Sequence, residues 1–235
     1  MWMPTAEVLA KAGYRVVVPD LRGHGKTPPA GETATMEAMA GDVAGLMESL
    51  GIPKAIIVGF SMGGYVALQI ASRHREVVRA LALIDTRADA DSDAAREGRR
   101  KTAAAVREKG MAALVEGMMP KLVAPATRTT HPEVVALLER LILENSPDGA
   151  VQALAGMGKR PDMRGKLSNL NVVALIACGE EDAIAPPDDA SRMAQAFRGS
   201  DFELVPKAGH AAPLENPAHF RRILLEWLTR VAPAR

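Results

Sequence analysis

Ala55-Ile56-Ile57-Val58-Gly59-Phe60-Ser61-Met62-Gly63-Gly64-Tyr65-Val66-Ala67-Leu68-Gln69-Ile70 decides the fold reading. The apolar run Ala55–Val58 predicts a strand, and the stretch after Ser61, with apolar Val66, Leu68 and Ile70, predicts a helix. Between them, Gly59-Phe60-Ser61-Met62-Gly63 matches G-x-S-x-G. A strand that turns sharply into a helix holds its turn residue in a strained conformation above the sheet, and glycines two before and two after it remove Cβ atoms that would collide. The Ser61 hydroxyl is thereby presented to a substrate. The turn also aims the unpaired N–H groups and positive end of the next helix at the place where an oxyanion would form, with the Met62 N–H as the nearest donor.

Working outward, strand and helix patterns alternate. A helix is expected at Pro4–Ala12, a strand at Tyr14–Pro19, a helix at Met36–Leu50, a strand at Lys54–Val58 and a strand at Val78–Ile84. This alternation predicts an α/β fold with a mostly parallel sheet, and runs such as Leu81-Ala82-Leu83-Ile84 fit strands covered by helices on both faces. Gly51-Ile52-Pro53 supplies the glycine stop and proline punctuation between helix and strand. From about Thr86 to Lys166 the alternation gives way to charged or amphipathic helix candidates at Arg87–Lys109, Met111–Leu122, Pro132–Asn145 and Pro147–Met157. The α/β pattern resumes with a strand at Val172–Ala177, a helix at Asp188–Phe197, a strand at Phe202–Val205 and a helix at Pro217–Val231. One domain with an insertion follows: core 1–85, helical insertion 86–166, core 167–235.

Bulk properties exclude several function classes. Among 235 residues, 29 Lys and Arg nearly cancel 28 Asp and Glu, so no global field favours a nucleic acid or an anionic membrane surface. The single cysteine, Cys178, excludes an intramolecular disulfide and a thiolate metal cluster. No run approaches the 18 apolar residues of a membrane span, and the first residues lack a secretory pattern. The expectation is a cytoplasmic protein acting on a small molecule, with no nucleic-acid or membrane partner; oligomeric state is open. Gly23-His24-Gly25-Lys26-Thr27 evokes the end of a phosphate-binding loop, but its first glycine would fall on Asp20, and Pro28 and Pro29 follow where a helix should start.

A serine needs a base and the base needs an orienting carboxylate. His210, in the loop just past the carboxyl end of Phe202–Val205, is the favoured base; His24 competes. Asp182 is the favoured acid, with Glu180 and Glu181 beside it and Asp85 as an alternative from another strand end. Phe60, Tyr65 and the methionines Met111, Met118, Met119 and Met157 are candidates for an apolar substrate pocket.

These segments carry a resemblance. Gly-Phe-Ser-Met-Gly-Gly at 59–64, Gly-Glu-Glu-Asp-Ala-Ile-Ala-Pro-Pro at 179–187, Gly-His-Ala-Ala-Pro-Leu-Glu-Asn-Pro at 209–217 and Pro-Asp-Leu-Arg-Gly-His-Gly at 19–25 resemble segments of the α/β-hydrolase superfamily, in its order Ser, Asp, His. The closest likeness is to the lactonase and carboxylesterase branch that includes 3-oxoadipate enol-lactonases. That resemblance implies a helical lid at 86–166, a cofactor-free and metal-free ester or lactone hydrolase, and catalysis by Ser61, His210 and Asp182. Ser61 argues against the haloalkane dehalogenase branch, which has aspartate there. A cofactor-free perhydrolase or acyltransferase and a non-catalytic binding module are the alternatives. The family pattern also opens with three further strands and a His-Gly loop that supplies the second oxyanion donor, neither of which is present here. Met1–Ala10 resembles the helix after that loop. The expectation is that residues upstream of Met1 belong to the functional protein.

Overall fold

Residues 1–31 and 33–233 are described by the computed structural model. The elements in chain order are α1 (Met3–Lys11), α2 (Met36–Ser49), β1 (Ala55–Phe60), α3 (Met62–Arg73) and β2 (Val78–Ile84), then the helices α4 (Asp93–Lys109), α5 (Ala112–Leu122), α6 (Thr127–Thr130), α7 (Pro132–Leu143) and α8 (Pro147–Gly158), and last β3 (Val173–Gly179), α9 (Pro187–Ala196), β4 (Ser200–Val205), α10 (Ala212–Glu215) and α11 (Pro217–Val231). The four strands form one parallel sheet in the order β1-β2-β3-β4.

Burial explains why the central strands read as unbroken apolar runs. In β3, Ala174, Ile176 and Cys178 join a core with Met36, Met39, Leu68, Ile70 and Met193, from α2, α3 and α9. The alternate residues Leu175 and Ala177 face a second core with Leu9, Phe220, Leu224 and Trp227, from α1 and α11. The period of two thus puts an apolar residue on each covered face, and each large side chain buried this way contributes about 1.5–3 kcal/mol. Local signals set the helix ends. Side chains of Thr35, Ser92, Ser146 and Asn216 accept N–H bonds at the starts of α2, α4, α8 and α11, and Gly51 ends the α2 region at φ 63°.

One expected strand is absent among the described residues. Tyr14–Pro19 forms no regular element and joins no ladder, and Val17 and Val18 are 42% and 40% exposed. β propensity supplies a conformation, whereas a strand also requires a neighbour for its N–H and C=O groups. β1 is likewise an edge strand, and its residues are mostly half-buried.

Between β2 and β3 the chain is helical, with α6 added to the four expected helices. The insertion has its own apolar centre around Val106, Met111, Val151 and Leu154. It rests on Gly23 and Ala34 through α8, where a Cβ on Gly149 would overlap the Gly23 carbonyl and one on Gly156 the Ala34 carbonyl. No helix among the described residues is long and apolar enough to cross a membrane.

Candidate active site

Parallel pairing places the carboxyl ends of all four strands at one edge of the sheet, and each end delivers one polar residue. Backbone bonds continue beyond the strands: Ser61 N–H donates to Ile84 O at 2.9 Å, Asp85 N–H to Ala177 O at 2.9 Å, and Glu180 N–H to Val205 O at 3.0 Å. Ser61 follows β1, Asp85 follows β2, Asp182 follows β3 and His210 follows β4.

Ser61 occupies the sharp turn at φ 50°, ψ −116°, a region that non-glycine residues rarely adopt. The neighbouring glycines explain how the turn is accommodated. A Cβ on Gly59 would overlap the Gly63 carbonyl, and one on Gly64 would overlap the Thr86 side chain, whereas a Cβ on Gly63 would meet nothing within 4 Å. The expectation for the glycine two after the serine is therefore corrected: the crowded position is Gly64, one residue later. Thr86 completes the turn by donating from Oγ1 to the Ser61 carbonyl at 2.8 Å. Met62 is the first residue of α3, so its N–H has no acceptor within the helix.

His210 Nε2 lies 2.8 Å from Ser61 Oγ, and its Nδ1 lies 2.8 Å from Asp182 Oδ2. The ring is 2% exposed and packs tilted against Phe60 with centroids 5.2 Å apart. Asp182 is fixed in turn, because its Oδ1 accepts the N–H groups of Ile184 at 2.8 Å and Ala185 at 2.9 Å. The arrangement can pass a proton from the serine hydroxyl to the imidazole while the carboxylate holds the ring's other nitrogen.

The other candidates separate by position. Glu180 and Glu181 are exposed, and Glu180 accepts the Lys207 N–H at 3.3 Å. His24 stays within its own loop, with Nδ1 3.1 Å from the Arg22 carbonyl. In that loop Asp20 accepts the Lys26 N–H at 3.0 Å, so the stretch that evokes a phosphate loop is closed by an acidic side chain. Tyr65 is buried in the core under the Arg160 guanidinium, 4.2 Å from its ring centroid. Met118 and Met119 pack beside Leu122, Val123 and Ala211, next to His210. Met111 and Met157 pack inside the insertion.

Two residues join the site that the motif reading passed over or set aside. Glu215, buried, accepts from Gly209 N–H at 2.8 Å and Ala211 N–H at 3.2 Å, on either side of His210, and from Ala124 N–H at 2.7 Å and Thr127 Oγ1 at 2.6 Å in the insertion. Its sequence signal was an acidic residue in the otherwise apolar segment Ala211-Ala212-Pro213-Leu214. Asp85 is fully buried, and its Oδ1 accepts the Gly179 N–H at 2.8 Å. Desolvation, with the charge of Asp182 next, pushes its carboxyl well above the ordinary aspartate range. Burial also pushes the Cys178 thiol up, so it remains protonated.

Comparison with known proteins places this geometry among relatives. A profile described as the alpha/beta hydrolase fold matches residues 1–217. The chain superposes on a thermophilic esterase of Thermogutta terrifontis, malate bound, with TM-score 0.95 and 41% identity over 98% of this chain and 85% of the other. On the enol-lactonase of Burkholderia xenovorans the values are 0.89 and 29%, over 97% and 85%. It is also 27% identical to 3-oxoadipate enol-lactonase 1 of Acinetobacter baylyi, over 95% of this chain and 81% of that protein.

Proposed function

The chain belongs to the α/β-hydrolase fold family, and from that premise we propose that it is a serine hydrolase of small carboxylic esters or lactones. The observation that carries the reading is the continuous relay from Ser61 Oγ through the His210 ring to Asp182, with both contacts at 2.8 Å. The likeness to an esterase at 41% identity and to enol-lactonases supports the substrate class.

In this mechanism Ser61 Oγ attacks the carbonyl carbon as His210 Nε2 takes its proton, and Asp182 stabilises the imidazolium. The Met62 N–H, at the positive end of α3, donates to the developing oxyanion. His210 returns the proton to the leaving oxygen, which departs as an alcohol or, from a lactone, as the hydroxyl end of the same acyl chain. Water, deprotonated by His210, then releases the acid. Phe60 and the α5 methionines Met118 and Met119 form the apolar side of the acyl pocket, and the helical insertion acts as its lid.

A panel of p-nitrophenyl esters and lactones, run beside Ser61→Ala, tests the proposal. Wild type should turn over at least one substrate and take a fluorophosphonate label on Ser61; the variant should lose about 10⁴–10⁶-fold in kcat and all label. Equal rates for the two proteins would overturn it. An unlabelled Ser61 with no turnover would favour a non-catalytic binding module.

A further inference from the structure

Asp85 is a buried carboxyl group for which the relay has no use. It stands at φ 47°, in the left-handed region, just past the end of a deeply buried strand. Its Oδ1 is bound to the Gly179 N–H, while its Oδ2 is buried without a partner. The groups that face it are acidic or neutral: Asp182 and Glu215 act on it as negative charges, and Asp85, Cys178 and Asp182 bring their polar atoms within 4.8 Å of one another. The Cys178 thiol does not serve the Asp85 Oδ2, because its acceptors are the carbonyls of Gly179 and Ala185 at 3.3 and 3.2 Å and, at 4.0 Å, Asp182 Oδ2. Glu215 is saturated by its own donors, and Asp182 uses Oδ1 for two N–H groups and Oδ2 for His210, with the Cys178 Sγ a longer 4.0 Å from Oδ2.

A second anion in this space would be buried beside the first with no cation of its own, which low dielectric makes costly. A neutral carboxylic acid resolves both problems, since it removes the like-charge contact and turns the orphaned Oδ2 into a donor beside a carboxylate. We propose that Asp85 is a positioning residue that sits in the site as a neutral carboxylic acid and donates a hydrogen bond from Oδ2 to the Asp182 carboxylate. Asp182 is then gripped from three sides, by the Ile184 and Ala185 N–H groups, by His210 and by Asp85. The Asp85–Asp182 pair also carries one negative charge, rather than two, beside the imidazolium. No proton leaves Asp85 during turnover; its work is to hold the acid still.

This inference rests on the proposed serine-hydrolase mechanism for its effect on rate, but not for the protonation state. The experiment combines infrared difference spectroscopy at neutral pH with kinetics of wild type, Asp85→Asn and Asp85→Ala. The asparagine keeps an acceptor for Gly179 and a neutral donor for Asp182. Wild type should show the carbonyl band of a protonated carboxylic acid, absent from Asp85→Asn. The acid limb of kcat/KM should stay in place in Asp85→Asn, with kcat within a few-fold of wild type. In Asp85→Ala, kcat should fall on the order of 10²-fold with KM unchanged, and the low-field proton resonance of the His210–Asp182 hydrogen bond should weaken. Absence of the infrared band, or an acid limb displaced to lower pH in Asp85→Asn, would mean that an anion had been removed and would overturn the proposal. So would an alanine variant with wild-type kcat and an intact low-field resonance. Failure of the serine-hydrolase reading would appear instead as insensitivity to Ser61→Ala, with the infrared band and the resonance still deciding the state and role of Asp85.

Discussion

The Glu215 carboxylate, five residues after His210, accepts the backbone N–H of Ala124 at 2.7 Å and so ties the helical insertion to the histidine loop. The same side chain holds the Gly209 N–H and shares the Ala211 N–H with the Leu122 carbonyl, which lies 2.8 Å from it, so this buried anion helps set the relation between His210 and the helices beside it. Each buried donor left unsatisfied costs about 1–3 kcal/mol. Glu215→Ala should therefore lower stability by several kcal/mol in urea unfolding and lower kcat more than it raises KM. Glu215→Gln should recover only part of the loss, because its NH₂ group faces donors. A fully active, fully stable alanine variant would show that the His210 loop is held by other contacts.

The elbow makes a sharper prediction about two adjacent glycines. A methyl group at Gly63 meets nothing within 4 Å, while one at Gly64 overlaps the side chain of Thr86, which itself bonds the Ser61 carbonyl. Gly63→Ala should leave the fold as stable or gain up to about 1 kcal/mol from helix propensity. Gly64→Ala should displace Ser61 and reduce ester turnover by roughly 10²-fold. The reverse order of activities would mean that the turn is arranged differently.

Most of this site was legible because its chemistry is ordered along the chain. Ser61, Asp182 and His210 each follow a run that reads as a strand, so strand ends and polar residues pointed to the same places. What escaped depends on partners distant in sequence. Tyr14–Pro19 has the composition of a strand and no ladder among the described residues, since pairing is not a property of the segment itself. Glu215 gains its meaning from Ala124, 91 residues earlier, and no local spacing announces that. Asp85 was read as an alternative acid, but its separation from Asp182 is set by β2–β3 register. The crowding at Gly64 likewise comes from Thr86, on the next strand's exit.

At the entry and exit of the insertion, Asp91 pairs with Arg99 at 2.5 Å and with Arg160 at 2.5 Å, and Arg160 also covers Tyr65. Burial alone would push the Asp91 carboxyl up, but hydrogen bonds and charge from Arg99 and Arg160 outweigh it and hold it below the usual range. A carboxyl lowered in the fold contributes stability above its unfolded value, and that contribution is lost as pH falls through the folded one. Asp91→Asn should lower stability by about 3–5 kcal/mol at pH 7, as expected for breaking a buried pair. The gap to wild type should narrow as pH falls below 3.8, the ordinary aspartate value. Parallel curves down to low pH would show that Asp91 contributes through packing rather than charge.

The seam under α8 gives a prediction in which two effects of one substitution oppose each other. Gly149 and Gly156 lie seven residues apart, on one face of the helix, and each packs against a backbone carbonyl, that of Gly23 for the first and of Ala34 for the second. Replacing either by alanine adds helix propensity worth about 1 kcal/mol, but the methyl group would press on backbone, which cannot yield as a flexible side chain does. Overpacking of that kind costs about 1–3 kcal/mol or more, so the net sign should be destabilising. Gly117 in α5 is the control, since a methyl group there meets nothing within 4 Å, and Gly117→Ala should stabilise by up to about 1 kcal/mol. Urea unfolding of the three variants measures the difference directly. If Gly156→Ala proves as stable as Gly117→Ala, then α8 does not rest on the core along this seam, and the insertion's position over the histidine loop must depend on other contacts, among them Glu215, the Ala211–Leu122 backbone bond and the Asp91 cluster.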